Sequence, residues 1–282
     1  MQHPYFIVDV FTDKPLEGNQ LAVYTDGAAI DEALLQLTAR EMNLAETVFL
    51  FPPDKGGDAR MKIFTPRTEL PFAGHPTLGT AVVVGQMNPE ISTVRLETGV
   101  GIIPVELERN KSGEIVFGQM DQPIPIPVPY DNQDALFAAL GIESSGLPVE
   151  GYLNGPFHVY VELESEDAVR ALEPNLGALS KLGLIGVNCY AGSGRTWKTR
   201  MFAPEHGVPE DAATGSAAGP LSVHLARYGR INFGEQIEIS QGSEIGRPSY
   251  LYACTYGSAD NIERVVVGGS AVIVAEGKFR LE

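Results

Sequence analysis

The sequence predicts an α+β protein of two similar lobes, each a barrel-like curved β-sheet around one central helix. Short segments with β-strand character recur throughout the 282 residues. A helical segment that begins near Gly74 is apolar nearly all round and must therefore be enclosed by protein. A second helical segment, which opens at Thr214, is also rich in apolar positions. We therefore expect one enclosed helix in each half of the chain.

The segments that precede these two helices resemble each other. Residues 62–66, KIFTP, lead by a loop to Gly74, and residues 200–204, RMFAP, lead by a loop to Gly215. The two segments are separated by about half the chain length, which supports the hypothesis of an internal duplication. Because Phe-x-Pro also occurs by chance, the pattern alone does not establish a duplication.

The first half alternates short strands with two helices. Asp31 is a suitable N-cap for a helix over residues 31–42, and Leu34 and Leu37 indicate that one face of this helix is half-buried. The apolar helix after Gly74 is the second. The predicted strands cover residues 6–10, 21–24, 47–51, 60–65, 93–97, 102–107 and 114–117.

The second half has the same mixed character. Helices are predicted near residues 133–140, 166–172 and 176–182, before the apolar helix that opens at Thr214. Residues from Gln236 onward have β-strand character. The other predicted strands cover residues 150–153, 157–163, 186–190 and 196–202.

A proline-rich segment marks the predicted domain boundary. Residues 121–130, DQPIPIPVPY, carry proline at every second position from Pro123 to Pro129. Such a pattern excludes a helix or a central strand and favours an extended, stiff connector. We therefore expect an N-terminal lobe over residues 1–128 and a C-terminal lobe over 129–282, whose last strand is free to pack with the N-terminal lobe.

Charge and cysteine content narrow the classes of function. The net charge of −16 and the pI near 4.7 provide no electrostatic attraction for nucleic acid or for an anionic membrane surface. Two cysteines, Cys189 and Cys254, are too few for a disulfide framework, and the N-terminus has no signal-peptide pattern. These features predict a cytoplasmic protein without nucleic-acid or membrane partners.

The glycine-bearing starts of the two apolar helices are the strongest candidates for a ligand site. The common phosphate-binding, dinucleotide, zinc-peptidase and esterase motifs are missing from the sequence. Free N–H groups at a helix start bind anions, and Gly74 and Gly215 would let a carboxylate approach the backbone. A structural interpretation remains equally open, with Thr214 as a helix cap and Gly74 as a turn glycine.

Three ionisable residues are candidates to cluster around these helix starts. They are Glu46 in NLAETVF, His75 itself and Asp211 in PEDAATGSA. A carboxylate beside an apolar strand can acquire the raised pKa that a proton-carrying base needs. Alternatively, Glu46 is a solvated residue at a strand start, and Asp211 only complements a helix dipole. His224, on the second apolar helix, is expected to be a core histidine.

At these residues the sequence resembles the phenazine-biosynthesis PhzF family over nearly its whole length. The most specific segments are ELPFAGHPTLGTA at residues 69–81 and EDAATGSAAGPL at residues 210–221. The resemblance implies the diaminopimelate-epimerase fold, with the active site in the cleft between two lobes. It also implies a homodimer that uses neither a metal nor an organic cofactor and leaves open whether other phenazine-pathway enzymes bind it.

The resemblance also implies an activity and a set of residue roles. The expected reaction is a proton shift from C3 to C1 of trans-2,3-dihydro-3-hydroxyanthranilate, a small anionic cyclic amino acid, to give a reactive aminoketone. Glu46 would carry the proton. His75, Asp211 and Ser216 would position the substrate and assist proton movement. The backbones at the two helix-start glycines, Gly74 and Gly215, would contact the carboxylate.

The cysteine positions separate this chain from related racemases. Such racemases use two cysteines, one at each glycine-rich helix start, whereas Cys189 and Cys254 lie outside both motifs. A two-thiol mechanism is therefore not expected. Two alternatives remain open: an isomerase or epimerase of another amino-acid-like substrate, and a binding protein without catalytic activity.

Overall fold

The computed structural model describes residues 1–281 and divides the chain into two compact units. Unit 1 comprises residues 1–121 and 268–281, and unit 2 comprises Gln122–Val267. The elements of the first stretch are β1 Gln2–Val10, β2 Asn19–Tyr24, α1 Glu32–Met42, β3 Glu46–Phe51, β4 Ala59–Phe64, β5 Glu69–Leu70, α2 Gly74–Met87, β6 Thr93–Thr98, β7 Gly101–Arg109 and β8 Ile115–Gln122.

The elements that follow have a similar order. They are β9 Ile126–Pro129, α3 Gln133–Leu140, β10 Glu150–Leu153, β11 Phe157–Glu162, α4 Glu166–Arg170, α5 Leu176–Leu179, β12 Gly186–Ser193, β13 Thr196–Ala203, β14 Val208–Asp211, α6 Gly215–Arg227, β15 Ile237–Gln241, β16 Ser249–Ser258, β17 Asn261–Gly269 and β18 Ala271–Arg280. Within residues 1–281, no helix combines the length and the apolar character that crossing a bilayer requires.

Strand pairing confirms the internal duplication. In unit 1, β1 pairs antiparallel with β2, β2 parallel with β3, β3 antiparallel with β4, and β4 parallel with β6. In unit 2, β10, β11, β12, β13 and β15 repeat this sequence of pairings in the same order. The other edge of the first strand is also paired in both units: β1 pairs with β18, and β10 pairs with β9.

Each unit encloses one helix, as the apolar patterns predict. Residues 74–85 of α2 and residues 215–226 of α6 are all buried. The close approach of α2 to its sheet depends on Gly79, where a Cβ atom would lie only 2.7 Å from side-chain atoms of Leu21 and Val10. Both units therefore have the predicted arrangement of a sheet around a central helix, with a further apolar cluster under α1 in unit 1 and under α3–α5 in unit 2.

The duplicated register gives a residue-by-residue correspondence between the units. Phe64 of β4 pairs with Thr47 of β3, and Phe202 of β13 pairs with Val187 of β12. If Phe64 is matched with Phe202, Glu46 at the start of β3 therefore corresponds to Gly186 at the start of β12. The two units thus differ in chemistry at a position where they agree in topology.

The same register extends the correspondence to the neighbouring strands. In the parallel pairs, Leu21 lies beside Glu46, and His158 lies beside Gly186. Leu21 therefore corresponds to His158. Further along β3 and β12, the same register matches Val48 with Asn188.

The proline-rich segment differs from its prediction as a simple connector. Residues 126–129 form β9, which pairs antiparallel with β10, Ile126 opposite Leu153 and Val128 opposite Gly151. Alternate residues of a strand direct their N–H groups to opposite edges. Prolines at every second position therefore remove donors from one edge only, and the edge that faces β10 keeps its own.

The buried face of α1 also differs from the prediction. Asp31 caps the helix as expected, since its side chain accepts a hydrogen bond from the Ala33 N–H. However, Leu35 and Ala39 are the buried apolar residues, whereas the Leu37 side chain is 52% exposed. Leu34 is partly buried against the same apolar cluster, as expected, so the prediction was wrong for Leu37 only.

Candidate active site

In unit 1, the structure brings Glu46 and His75 together. Glu46 is the first residue of β3, and His75 is the second residue of α2. Glu46 Oε2 lies 3.2 Å from His75 Nε2, and the two side chains are only 13% and 4% exposed. Gly74, the residue before His75, is buried at the first position of the helix. Its N–H and that of His75 have no acceptor within α2, because the first turn of a helix lacks one.

The environment of His75 determines its charge. Burial lowers the pKa of the imidazole to about 3, although a hydrogen bond to the Gln20 backbone acts in the opposite direction. The ring is therefore neutral at pH 7, and its contact with Glu46 joins a carboxyl group to an uncharged imidazole. Asn19, at the start of β2, holds the other ring nitrogen, with its Nδ2 atom 3.2 Å from His75 Nδ1.

In unit 2, Asp211 is part of a hydrogen-bonded turn before α6. Thr214 donates its hydroxyl hydrogen to Asp211 Oδ2 over 2.7 Å. Gln241, at the end of β15, donates to the Asp211 carbonyl at 2.9 Å and accepts from the Thr214 N–H at 3.2 Å. Thr214 does occupy the N-cap position, but its side chain caps no helix N–H. The threonine instead fixes the orientation of the Asp211 carboxyl group.

Ser216 has a different partner in unit 2. Its Oγ atom lies 3.0 Å from His158 Nε2, and the serine and histidine residues are 4% and 2% exposed. His158 Nδ1 in turn lies 3.4 Å from Asn188 Nδ2. Burial, with a smaller contribution from His206, lowers the pKa of His158 to about 3. Gly215 starts α6, so its N–H and that of Ser216 have no acceptor within the helix.

The predicted site residues thus form two sets, Glu46, Gly74 and His75 in unit 1 and Asp211, Gly215 and Ser216 in unit 2. Sequence reasoning missed the side chains that hold each set, because their partners are far away in the sequence. The missed residues are Asn19, His158, Asn188 and Gln241. A polar residue at an inward position of an apolar strand, as in the segment FHVYV at 157–161, was the signal available for His158.

His224 and the two cysteines lie outside these sets and are buried within unit 2. His224 is fully buried as predicted, and its Nδ1 atom lies 3.2 Å from the Tyr152 hydroxyl. Cys189 and Cys254 are free and buried, and neither lies at a central-helix start.

Comparison with known proteins supports the same assignment of fold and family. The family model described as phenazine biosynthesis-like protein, PhzC-PhzF, matches residues 8–277. A Pseudomonas fluorescens protein named trans-2,3-dihydro-3-hydroxyanthranilate isomerase is 50% identical over 279 residues, which are 99% of this chain and 100% of the relative.

Two solved structures are similar along their whole length. A Bacillus anthracis phenazine biosynthesis protein of the PhzF family has a TM-score of 0.85 at 24% identity, with 100% of both chains covered. A Pseudomonas aeruginosa protein described as a predicted epimerase has a TM-score of 0.83 at 30% identity, with 99% of this chain and 100% of the other covered. The fold is thus the epimerase-like fold that the resemblance implies, and the chain belongs to the PhzC-PhzF family of phenazine biosynthesis-like proteins.

Proposed function

We propose that this chain isomerises trans-2,3-dihydro-3-hydroxyanthranilate, the compound for which its 50% identical relative is named. The observation that carries the proposal is the Glu46 carboxyl group, mostly buried and 3.2 Å from the neutral His75 imidazole at the start of α2. A carboxylate in such surroundings is suited to take a proton from carbon.

In the proposed reaction, Glu46 is the proton carrier. It takes the proton from C3 of the ring, the C–H electron pair moves into the ring double-bond system, and C1 receives the proton back from Glu46. The resulting enol tautomerises to a reactive aminoketone. Because a single carboxylate removes and returns the proton, no second base is required, which agrees with Gly186 at the corresponding position of unit 2.

The other site residues are proposed to bind and orient the substrate. Neutral His75 and the Asp211 carboxyl group, fixed by Thr214, assist proton movement. The N–H groups at the starts of α2 and α6, at Gly74 and Gly215, and the Ser216 hydroxyl contact the substrate carboxylate. Preorganised donors of this kind bind the carboxylate and hold the ring in the orientation in which Glu46 can remove its proton.

Three further properties belong to the proposal. We propose acid/base catalysis without a metal or organic cofactor, a homodimer in solution and a cytoplasmic location. The homodimer and location are supported by the family resemblance and by the sequence features described above. Size-exclusion chromatography with light scattering tests the first of these two, and a monomer at micromolar concentration would contradict it.

The decisive experiment follows the substrate by NMR in H₂O and in D₂O. We expect loss of the substrate signals and formation of the isomerised product with the unaltered protein. Glu46→Gln should lower turnover by at least about 100-fold, because an amide cannot carry the proton. Glu106→Gln, at an exposed strand position of unit 1, is the matched control and should retain activity.

The possible outcomes separate the proposal from its alternatives. Unchanged turnover in Glu46→Gln would show that Glu46 is not the proton carrier. An inert substrate with active exchange of deuterium into another amino-acid-like ligand would indicate an isomerase or epimerase of different specificity. Binding without any exchange would indicate a protein that binds small molecules without transforming them.

A further inference from the structure

A buried chain of polar side chains leads from β12 through β11 to the first turn of α6. Asn188 donates from Nδ2 to the Gly186 carbonyl at 3.1 Å, and the same nitrogen lies 3.4 Å from His158 Nδ1. His158 Nε2 lies 3.0 Å from Ser216 Oγ. All three side chains belong to unit 2, and each residue is at most 4% exposed.

This chain of contacts determines which ring nitrogen of His158 carries the proton. The bond to the Gly186 carbonyl requires an N–H donor, so it is the amide nitrogen of Asn188 that faces the ring. An amide N–H can only donate to His158 Nδ1, which must then be the unprotonated nitrogen. In a neutral imidazole the hydrogen is consequently on Nε2, and Nε2–H donates to Ser216 Oγ.

The direction of that bond determines what the serine can do. Because Ser216 Oγ accepts from His158, its own hydrogen remains available to donate to another group. His158 cannot act as a base toward the serine, since the nitrogen that faces Oγ is already protonated. The Ser216 hydroxyl is therefore able to donate a hydrogen bond and is not an activated nucleophile.

The fold itself does not require these polar residues. In unit 1, the positions that correspond to His158 and Asn188 are occupied by Leu21 and Val48, both completely buried. Burial of polar groups costs free energy unless they are hydrogen-bonded, and the same topology forms with apolar residues in their place. A Cβ atom at Gly186 would lie 2.6 Å from His158 Nδ1, so this glycine leaves the room that the ring occupies.

We infer that His158, held by Asn188, is a positioning residue that directs the Ser216 hydroxyl hydrogen toward an anionic oxygen of the ligand. Together with the N–H groups of Gly215 and Ser216, the hydroxyl supplies three donors suited to a carboxylate. The start of α6 thereby supplies three donors from one unit to the substrate carboxylate. The assignment of the ligand oxygen to the substrate carboxylate rests on the proposed function.

The first test measures the tautomer directly and requires no substrate. Long-range ¹H–¹⁵N NMR of protein labelled with ¹⁵N-histidine should show His158 as the neutral Nε2–H form at pH 7. Its signals are identified by their loss in His158→Gln. An Nδ1–H tautomer or an imidazolium would overturn the inference.

The second test is a double-mutant cycle on the steady-state constants. Loss of the positioned donor should raise KM about tenfold with little change in kcat, because the carboxylate contact is made equally in the ground and transition states. His158→Leu installs the residue found at the corresponding position of unit 1. His158→Gln keeps an N–H donor near the position of Nε2 and should largely restore KM.

The cycle is completed with Ser216→Ala. If His158 acts through the serine, His158→Leu adds no further increase in KM in the Ser216→Ala protein. Additive effects, or an increase in KM that His158→Gln fails to reverse, would contradict the inference. If the unaltered protein is inactive on the proposed substrate, the proposed function fails, and the tautomer measurement still decides the role of His158.

Discussion

Three histidines in this protein are buried deeply enough to remain neutral at pH 7. Burial lowers the pKa of His75 and of His158 to about 3, and that of His224 to about 4. Each of these residues contacts a polar partner that is suited to an uncharged ring. The folded state therefore disfavours protonation of these rings, and for this reason the stability of the protein depends on pH.

We predict that the free energy of unfolding falls as the pH is lowered from 7 to 5. The folded-state pKa of these histidines lies below the unfolded value near 6.5, so the unfolded chain binds the additional protons in this interval. The contribution of these histidines to the free energy of unfolding is fully present above pH 6.5. Each histidine with a folded-state pKa of about 3 should lower that free energy by roughly 2 kcal/mol when the pH reaches 5.

Urea denaturation at pH 7, 6 and 5 measures this slope. The variant His158→Gln has no proton to bind at this position, so its stability should decrease less steeply over the same interval. If the free energy of unfolding changed equally with pH in both proteins, His158 would not contribute to the pH dependence of stability.

At single residues, sequence reasoning succeeded where the contact is local and failed where it is distant. The Asp31 cap was predictable because its partner, the Ala33 N–H, is two residues away. The pairing of His158 with Ser216 was not, since it arises only when β11 packs against the start of α6. The proximity of Glu46 and His75 was expected from family resemblance and not from spacing alone.

At the scale of elements, α6 contains an internal proline whose missing hydrogen bond is replaced by a side chain from the turn between β10 and β11. Pro220 lacks the N–H that would bond to the carbonyl of Ser216, four residues earlier. Asn154, which is 1% exposed, supplies the missing donor, with its Nδ2 atom 3.0 Å from that carbonyl oxygen. The start of α6, where Ser216 lies, is thus held by a side chain from outside the helix.

We predict that Asn154 and Pro220 are energetically coupled. Asn154→Ala should cost about 1–3 kcal/mol, because it leaves the buried Ser216 carbonyl without a donor. In a Pro220→Ala background the backbone N–H that the substitution introduces can bond to that carbonyl, and the cost of Asn154→Ala should fall by about 1 kcal/mol. Urea unfolding of the two single variants and the double variant measures the coupling, and additive effects would contradict it.

Elements were predictable where their signals are periodic. Both central helices were recognised because burial on all sides leaves an almost continuous apolar sequence. Leu37 of α1 was wrongly expected to be half-buried, because in a short helix Leu34, Leu35 and Leu37 allow more than one apolar face. The segment that forms β9 was expected to be an extended connector, because a proline pattern shows which donors are lost but does not show a partner strand.

At the scale of the whole molecule, the two units share one strand topology but have different side chains at matched positions. The register matches Glu46 with Gly186 and Leu21 with His158. The second residue of the central helix is His75 in unit 1 and Ser216 in unit 2. The carboxyl group of Glu46 therefore has no counterpart in unit 2, and the imidazole of His158 has none in unit 1.

We predict that neither cysteine takes part in the reaction. Both thiols are buried in unit 2, on β12 and β16, and burial raises the pKa of Cys189 to about 12 and also raises that of Cys254. A buried, protonated thiol is a poor nucleophile and a poor base. Iodoacetamide should therefore leave turnover of the folded protein unchanged, and Cys254→Ala should remain active. Stoichiometric inactivation by the reagent would support a thiol mechanism instead.

The alternating prolines of β9 also affect how the protein behaves at high concentration. An exposed strand edge with free donors and acceptors can recruit a strand from another molecule and begin aggregation. Along β9 the edge directed away from β10 has carbonyl groups but lacks N–H donors at Pro127 and Pro129. A foreign strand would find only half of its hydrogen bonds there. The spacing that allows β9 to pair with β10 therefore also discourages the addition of another strand.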